Sequence, residues 1–386
     1  MDNAQKQQLQ TDIIFGRYHD LLIGQQFAQQ QIGYIHTLDI NYGEPFPVRT
    51  LLAVEEVAAK AREKQDNKNH QFIADVNSDL HQQIESEIDS RLADTEYIYK
   101  EIIQIQDNIP AILDILATKA ASVGRLDPLI SDLPWLGEDI LKLINLPQYR
   151  QDKDPKKSVR VENVSLALRY IGLDNLKLIL PTFSLKHWTP HSTEPFKMMK
   201  RKLWETGMAT GIAAKKLAEF NGENTNHAFV LGMYHSIGNL ALIRLYLRTF
   251  DALWEKNART ARENGEKDRH AALGELAPDP LFLRNLLVEK GPTSSLDLID
   301  HMAFKYLPIK MAMQEIAERR PFLTCCSLAQ TVMKGRAYSY YKFLQKHVLI
   351  EPDEAKSLFT YHHFNANELK LLASTSLNNL QLRIER

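Results

Sequence analysis

The chain has few of the features that would cross-link it or fix it to a membrane. Of 386 residues only two are cysteines, Cys325 and Cys326, and they are adjacent. Neighbouring thiols cannot close a long loop, so the fold must be held by its core, and the pattern suits a reducing cytoplasm. No apolar stretch reads as long enough for a membrane span, because NLALIRLYL (239–247) is cut by Arg244. The opening MDNAQKQQLQTDII has no basic start followed by an apolar core, so no secretory signal is expected there. Neither sign of charge is in excess. Lys and Arg total 47 against 48 Asp and Glu, which gives no general reason to expect nucleic acid or an acidic membrane as partner.

Motifs with a defined chemistry are missing as well. There is no GxxxxGK[ST] and no GxGxxG after a strand, hence no phosphate-cradling loop. The GxSxG elbow of hydrolases, the HExxH zinc helix and the CxxC spacing of thiolate sites are also absent. Cys325 and Cys326 sit in PFLTCCSLAQTV, which reads as helical and apolar, so both are expected to be small core residues rather than reactive thiols.

What is present is helical periodicity. Ile84, Ile88, Leu92, Ile98, Ile102 and Ile105 form one stripe, and TLLAVEEVAAKAREK (50–64) repeats the pattern with Thr50 as a cap. Further helices are expected at 111–121, 137–145, 163–171, 173–184, 201–220, 226–248, 296–305, 308–319, 324–346 and 352–359. Only IGYIHTLDI (32–40) could be extended, so the predicted class is all-α. QDNKNHQ (65–71) reads as a helix–helix connection, QYRQDKDPKKSVR (148–160) as a surface loop, and 256–280 as an exposed excursion. The expected division is an N-terminal helical region (1–104), a large helical domain (105–350) and a C-terminal extension packing on it (351–386).

Two candidate sites weaken on inspection. His362 and His363 cannot converge on one metal ion, because neighbouring side chains on a helix diverge; a surface pair or a capping group is expected. KHWTPHSTEPFKMMKRK (186–202) sets Lys197, Arg201 and Lys202 beside aromatics, but Glu194 interrupts it and the whole chain is not basic; a solvated helix start is expected, not a nucleic-acid site.

The informative segment is NHAFVLGMYHSIGNLALIRLY (226–246), in which an apolar run leads to His235, Ser236, Ile237 and Gly238. It resembles the histidine helix of the HD superfamily, where a His-Asp pair precedes Ile-Gly. The order of further segments across about 105–350 resembles the HDOD domain, the HD-related output domain of bacterial signalling proteins. IPAILDILATKA (109–120) is similar to the family's opening helix. LISDLPWLGEDILKLIN (129–145) matches a stretch with Asp132 and Asn145 in the family's acidic and Asn places. NVSLALRYIGLDNLKLIL (163–180) breaks at Gly172. Gly207, Gly211 and Ala214 lie at helical spacing, which would let another helix approach closely. Leu307-Pro308 stands at the family's turn between two later helices.

The resemblance implies a multi-helical HD-like bundle with an additional N-terminal helical region. It also implies that the metal-ligand set of a true HD hydrolase is broken. The first His would fall near Thr206, Ser236 stands in the Asp place, and the later His-His pair is replaced by Glu318-Arg319-Arg320-Pro321. A hydroxyl is a poor substitute for a carboxylate on a hard cation. No metal and no cofactor are therefore expected, and His235 and Asn145 are read first as hydrogen-bonded core groups. The leading expectation is a non-catalytic signalling module, cytoplasmic and able to form a homo-oligomer, that binds a partner protein or a small effector. Asn145, Lys197, Arg201 and Lys202 are the candidate contacts. The alternative is a metal-dependent phosphohydrolase acting on a nucleotide or cyclic dinucleotide, with ligands drawn from His187, His191, His227, His235, Asp297 and Asp300. Effector binding without turnover is a third possibility.

Overall fold

The structure, a computed structural model, describes residues 3–33, 53–149, 160–380 and 382. Helices make up all of its regular structure among the described residues, as the periodicity predicts. α1 (Asn3–Ile23) and α2 (Gln25–Ile32) open the chain, followed by α3 (Ala53–Leu92) and the short α4 (Thr95–Tyr97), which runs into a π-helical turn over Ile98–Ile103. α5 (Asn108–Ala117), α6 (Val123–Ser131), α7 (Pro134–Ile144), α8 (Val164–Ile171) and α9 (Leu173–Trp188) come next. The centre is built from α10 (Met199–Asn221), α11 (Thr225–Tyr234) and α12 (Ile237–Glu263). α13 (Lys267–Gly274), α14 (Pro280–His301), α15 (Lys310–Ala317), α16 (Ser327–Lys346), α17 (Pro352–Tyr361) and α18 (Ala366–Ala373) complete it.

Local chemistry sets many of the helix starts. Asn163, Asn224 and Asp279 accept hydrogen bonds from the first-turn amides of α8, α11 and α14, and Asn365 and Glu368 close a reciprocal box at α18. Each such cap stabilises its helix by about 1 kcal/mol.

The inner helices approach closely because their contact residues are small. A Cβ on Gly232 would lie 2.8 Å from the Gly211 Cα, and one on Gly335 would lie 2.9 Å from the Ala214 amide nitrogen. The small residues expected to admit a neighbour along α10 thus do so, against α11 and α16. Phe229, Tyr234 and Tyr246 are fully buried in the resulting core.

Several expectations need correction. The polar stretch 65–71 is not a connection but lies within α3, because a solvated helix needs no apolar residues. The 226–248 helix is broken at His235 and Ser236. The excursion expected at 256–280 is largely helical: α12 continues to Glu263, α13 follows, and Ala261, Ala272 and Leu273 are buried, with the Trp254 indole donating to Leu273 O at 2.7 Å. Cys325 and Cys326 precede α16 rather than lying in it, although Cys325 is buried. Thr225–Glu263 does reach the length and hydropathy of a membrane span, but 89% of its apolar window is buried inside the fold. The piece 34–40, Thr50 and positions 150–159 lie outside the described residues.

Among the described residues before 105, α1 and the second half of α3 pack on the helices that follow. Val76, Leu80, Ile84 and Ile88 of α3 join the main core against α12. Ile14 and Leu21 of α1 share a smaller core with Ala337, Leu344 and Leu358. From 67 to 75, by contrast, no α3 side chain is buried. Arg17 reaches Glu354 through both terminal nitrogens, at 2.6 and 2.7 Å. The π-helical turn ends in unsatisfied carbonyls, which guanidinium groups take up: Arg244 donates to Ile102 O at 3.0 Å and Arg248 to Glu101 O at 3.0 Å.

Candidate functional site

α11 ends at Tyr234, and the chain turns through His235 and Ser236 before α12 begins. Ser236 leaves helical geometry, with φ −125° and ψ 26°. This turn packs on α14 at close range. The Gly238 amide donates to Ser295 Oγ at 2.9 Å, and that hydroxyl donates to Gly291 O at 2.8 Å. A Cβ on Gly238 would sit 2.5 Å from the Ser295 nitrogen and 2.6 Å from Gly291 O, so only glycine fits.

His235 is almost fully buried, and its Nδ1 lies 2.7 Å from Gly232 O. A ring nitrogen facing a carbonyl must carry the proton, which leaves Nε2 as a bare acceptor. That Nε2 is buried without a partner. Burial, reinforced by the Arg336 charge, pushes the His235 pKa down to about 3, so the ring is neutral at physiological pH.

His235 lines a cavity of about 130 Å³. Its walls come from elements that sequence reasoning did not bring together: Phe15 and His19 of α1, Asn239 of α12, Arg336 of α16 and His362 at the end of α17. His362 repeats the geometry of His235. Its Nδ1 faces Leu358 O at 2.9 Å, its Nε2 is buried and unpartnered, and burial lowers its pKa to about 3. The expectation of a surface pair at 362–363 is therefore corrected: the two rings do diverge, but His362 is fully buried. His19, half-buried, also turns Nδ1 to a carbonyl of its own helix, 2.8 Å from Phe15 O, and desolvation lowers its pKa to about 4.

The positive charge in the cavity is Arg336. Its guanidinium lies 4.7 Å from the Phe15 ring centre, its Nε is buried without a partner, and it forms no ion pair with a carboxylate among the described residues. Arg319 stands exposed at the rim and donates to Val288 O at 2.7 Å, while Arg320 is paired with Glu318 at 2.7 Å and Glu315 at 3.6 Å. Asp12, exposed on α1, contributes the one carboxylate of the lining.

α1 closes the cleft where an HD hydrolase would begin its metal set. Thr206, at the first-His place, is buried and accepts a hydrogen bond from the Tyr18 hydroxyl at 2.6 Å, while its own hydroxyl donates to Lys202 O at 2.7 Å. Tyr18 stacks on Tyr340, with ring centres 3.7 Å apart and planes 14° from parallel. A hard divalent cation does not fit this site. It would meet an unpaired guanidinium and imidazoles rather than clustered carboxylates, and no group of three metal-binding side chains occurs among the described residues.

The remaining candidates do not converge. Asn145 closes α7, with Nδ2 donating to Leu141 O and Val161 O, each at 2.8 Å, and Oδ1 accepting from the Val161 amide at 2.9 Å. Lys202 is buried and donates to Leu21 O at the end of α1; desolvation lowers its pKa to about 8. Lys197 and Arg201 are exposed, and Arg201 pairs with Glu205 at 3.4 Å. His187 stacks on Trp135 at 3.9 Å, and His227 opens α11, about 12 Å along the helix from His235. Asp297 and Asp300 are exposed on α14, where Asp300 pairs with Lys310 at 2.5 Å.

Residues 102–275 match the family model of the HDOD domain. No curated protein matches the chain. Among solved structures, a chain described as a metal-dependent phosphohydrolase from Shewanella amazonensis SB2B is similar at 16% identity with a TM-score of 0.41, over 77% of this chain and 99% of that one.

Proposed function

Since the chain carries an HDOD domain over residues 102–275, we propose that it is a non-catalytic regulatory module of bacterial signal transduction, acting in the cytoplasm by binding a partner protein or small effector. One observation carries this reading: Tyr18 of α1 is hydrogen-bonded to Thr206 at the first-ligand place, while Ser236 stands in the Asp place. Water activation by a metal needs an open coordination position held by several ligands. Here the Thr206 side of that space is taken by the Tyr18 ring, stacked on Tyr340 between helices. His235 and Asn145 then serve the fold, His235 by ending α11 and Asn145 by joining α7 to the strand-less segment before α8.

The phosphohydrolase alternative gains no support from the geometry: His187 stacks on Trp135, Asp300 pairs with Lys310, and none of His187, His227, Asp297 and Asp300 lines the cavity with His235. The test is metal content on protein purified without chelators and dialysed against manganese, iron or zinc. Retention below about a tenth of an ion per chain is expected. Stoichiometric retention, with phosphodiesterase activity lost in His235→Ala, would overturn the reading.

A further inference from the structure

We infer that the cavity beneath α1 is a binding site for a small anion that also carries an O–H or N–H donor, a chemistry shared by hydrogen phosphate and small 2-hydroxy acids. The inference rests on reading the cleft as non-catalytic, and it names the class of effector the cleft takes.

The charge comes from Arg336. A guanidinium stays protonated, and Arg336 is half-buried, so its charge is withdrawn in part from water and gains from a counter-charge. Arg336 has its Nε buried without a partner and makes no ion pair with a carboxylate among the described residues. Glu315 and Glu318, the nearest acids in sequence to the rim, are engaged by Arg320. Asp12, the one carboxylate of the lining, acts on Arg336 through space but forms no ion pair with it, so the guanidinium keeps its donors and part of its charge for a bound anion.

The donor requirement comes from the imidazoles. His235 and His362 both line the cavity, both commit Nδ1–H to a carbonyl of the preceding turn, and both have an Nε2 lone pair buried without a donor. These rings remain neutral acceptors, as their depressed pKa values require. An acceptor-only anion such as sulfate would set its oxygens against those lone pairs, whereas hydrogen phosphate or a hydroxy acid can donate to them.

Size sets the upper bound. About 130 Å³ is room for roughly four waters at ~30 Å³ each, well below the ~300 Å³ of the smallest drug-sized sites. A phosphate ion or a three-carbon acid fits inside; the cavity opens to solvent beside Asp12, Arg319 and Arg320, so a larger molecule would enter only by an anionic group of that size. Arg336, His362 and α1 all lie outside residues 102–275, so the charge and one of the two acceptors come from the flanking helices, while His235 comes from the matched region.

The test is thermal unfolding of the full chain in chloride buffer at matched ionic strength, titrated separately with inorganic phosphate, L-lactate and sulfate. The expected result is a saturable rise in Tm with phosphate or lactate, with sulfate at least about tenfold weaker. Saturation by phosphate alone assigns a phosphate source, and saturation by lactate alone assigns a carboxylic acid. Arg336→Gln should abolish the response while unfolding cooperatively in chloride. If that variant does not fold, His362→Phe should reduce the response to both anions and erase the preference over sulfate. Phosphorus NMR line broadening of phosphate by the unmodified chain, reversed by lactate, provides a reading that needs no variant. No stabilisation by any of the anions beyond chloride, or equal stabilisation by sulfate, overturns the inference. Metal retention, tested separately, would overturn the non-catalytic reading and leave these titrations unchanged.

Discussion

The region that matches the HDOD domain and the helices that flank it bring different polar groups to the cavity: the first supplies His235, a neutral acceptor, and the second adds a charge at Arg336. Inside 102–275, Thr206 is buried and has its hydrogen-bond partners close by, the Tyr18 hydroxyl and Lys202 O. The flanks, α1, α16 and α17, bring in Arg336 and His362 and leave polar nitrogens of both buried without a partner. The matched region supplies one wall of the cavity, and the flanks supply its guanidinium and a second imidazole.

The most sensitive probe of this contrast is pH. His19, His235 and His362 have folded pKa values of about 4, 3 and 3, all below the usual ~6.5 of an unfolded histidine. The unfolded chain therefore binds protons first. Their stabilising contribution is complete above about pH 6.5 and is lost as pH falls toward the folded values, at about 1.4 kcal/mol per pH unit for each ring. Together they should remove about 3–4 kcal/mol between pH 6 and pH 5, read by urea unfolding at each pH. Replacing His19 and His362, the two rings of the flanks, with Gln should flatten most of that slope; an unchanged slope would mean that the flanks do not hold these rings neutral.

Tyr18→Ala tests the closure itself. Loss of a stacked, buried ring should cost about 3–5 kcal/mol in urea unfolding, whereas Tyr18→Phe, which removes only the hydroxyl, should cost about 1 kcal/mol. On the core side, Gly238→Ala forces a methyl against backbone atoms of α14 and should cost about 3 kcal/mol. If Gly238→Ala is neutral, the wall behind His235 is less rigid than its contacts indicate. The smallest effect belongs to Arg17→Ala. It breaks a part-exposed pair with Glu354 and should cost no more than about 1 kcal/mol, measured against Glu354→Gln in a double-mutant cycle.

The helical class and most helix centres were legible in the sequence because apolar spacing records which face is buried. The break at His235 was legible only through its resemblance to a known motif; periodicity alone runs straight through 226–248. The cavity was not legible. Tyr18 and Thr206 are separated by 188 positions, and nothing local in α1 signals that its aromatic face enters a cleft. His362 was misread for a related reason: the divergence of neighbouring side chains is a local rule, but which of two diverging rings faces inward depends on α1 and α16. Residues 65–71 and 256–280 were misread because a polar composition is shared by loops and solvated helices.

α3 has a mechanical consequence. At 1.5 Å per residue, the unbroken helix carries Ala53 about 35 Å beyond Val76, the first side chain along it seen to be buried. A stiff rod clamped at one end works as a pointer. Tilting it by about 10° at Val76 would sweep its tip through about 6 Å, so a small repacking around α12 would be magnified into a displacement large enough to change what the distal end can reach.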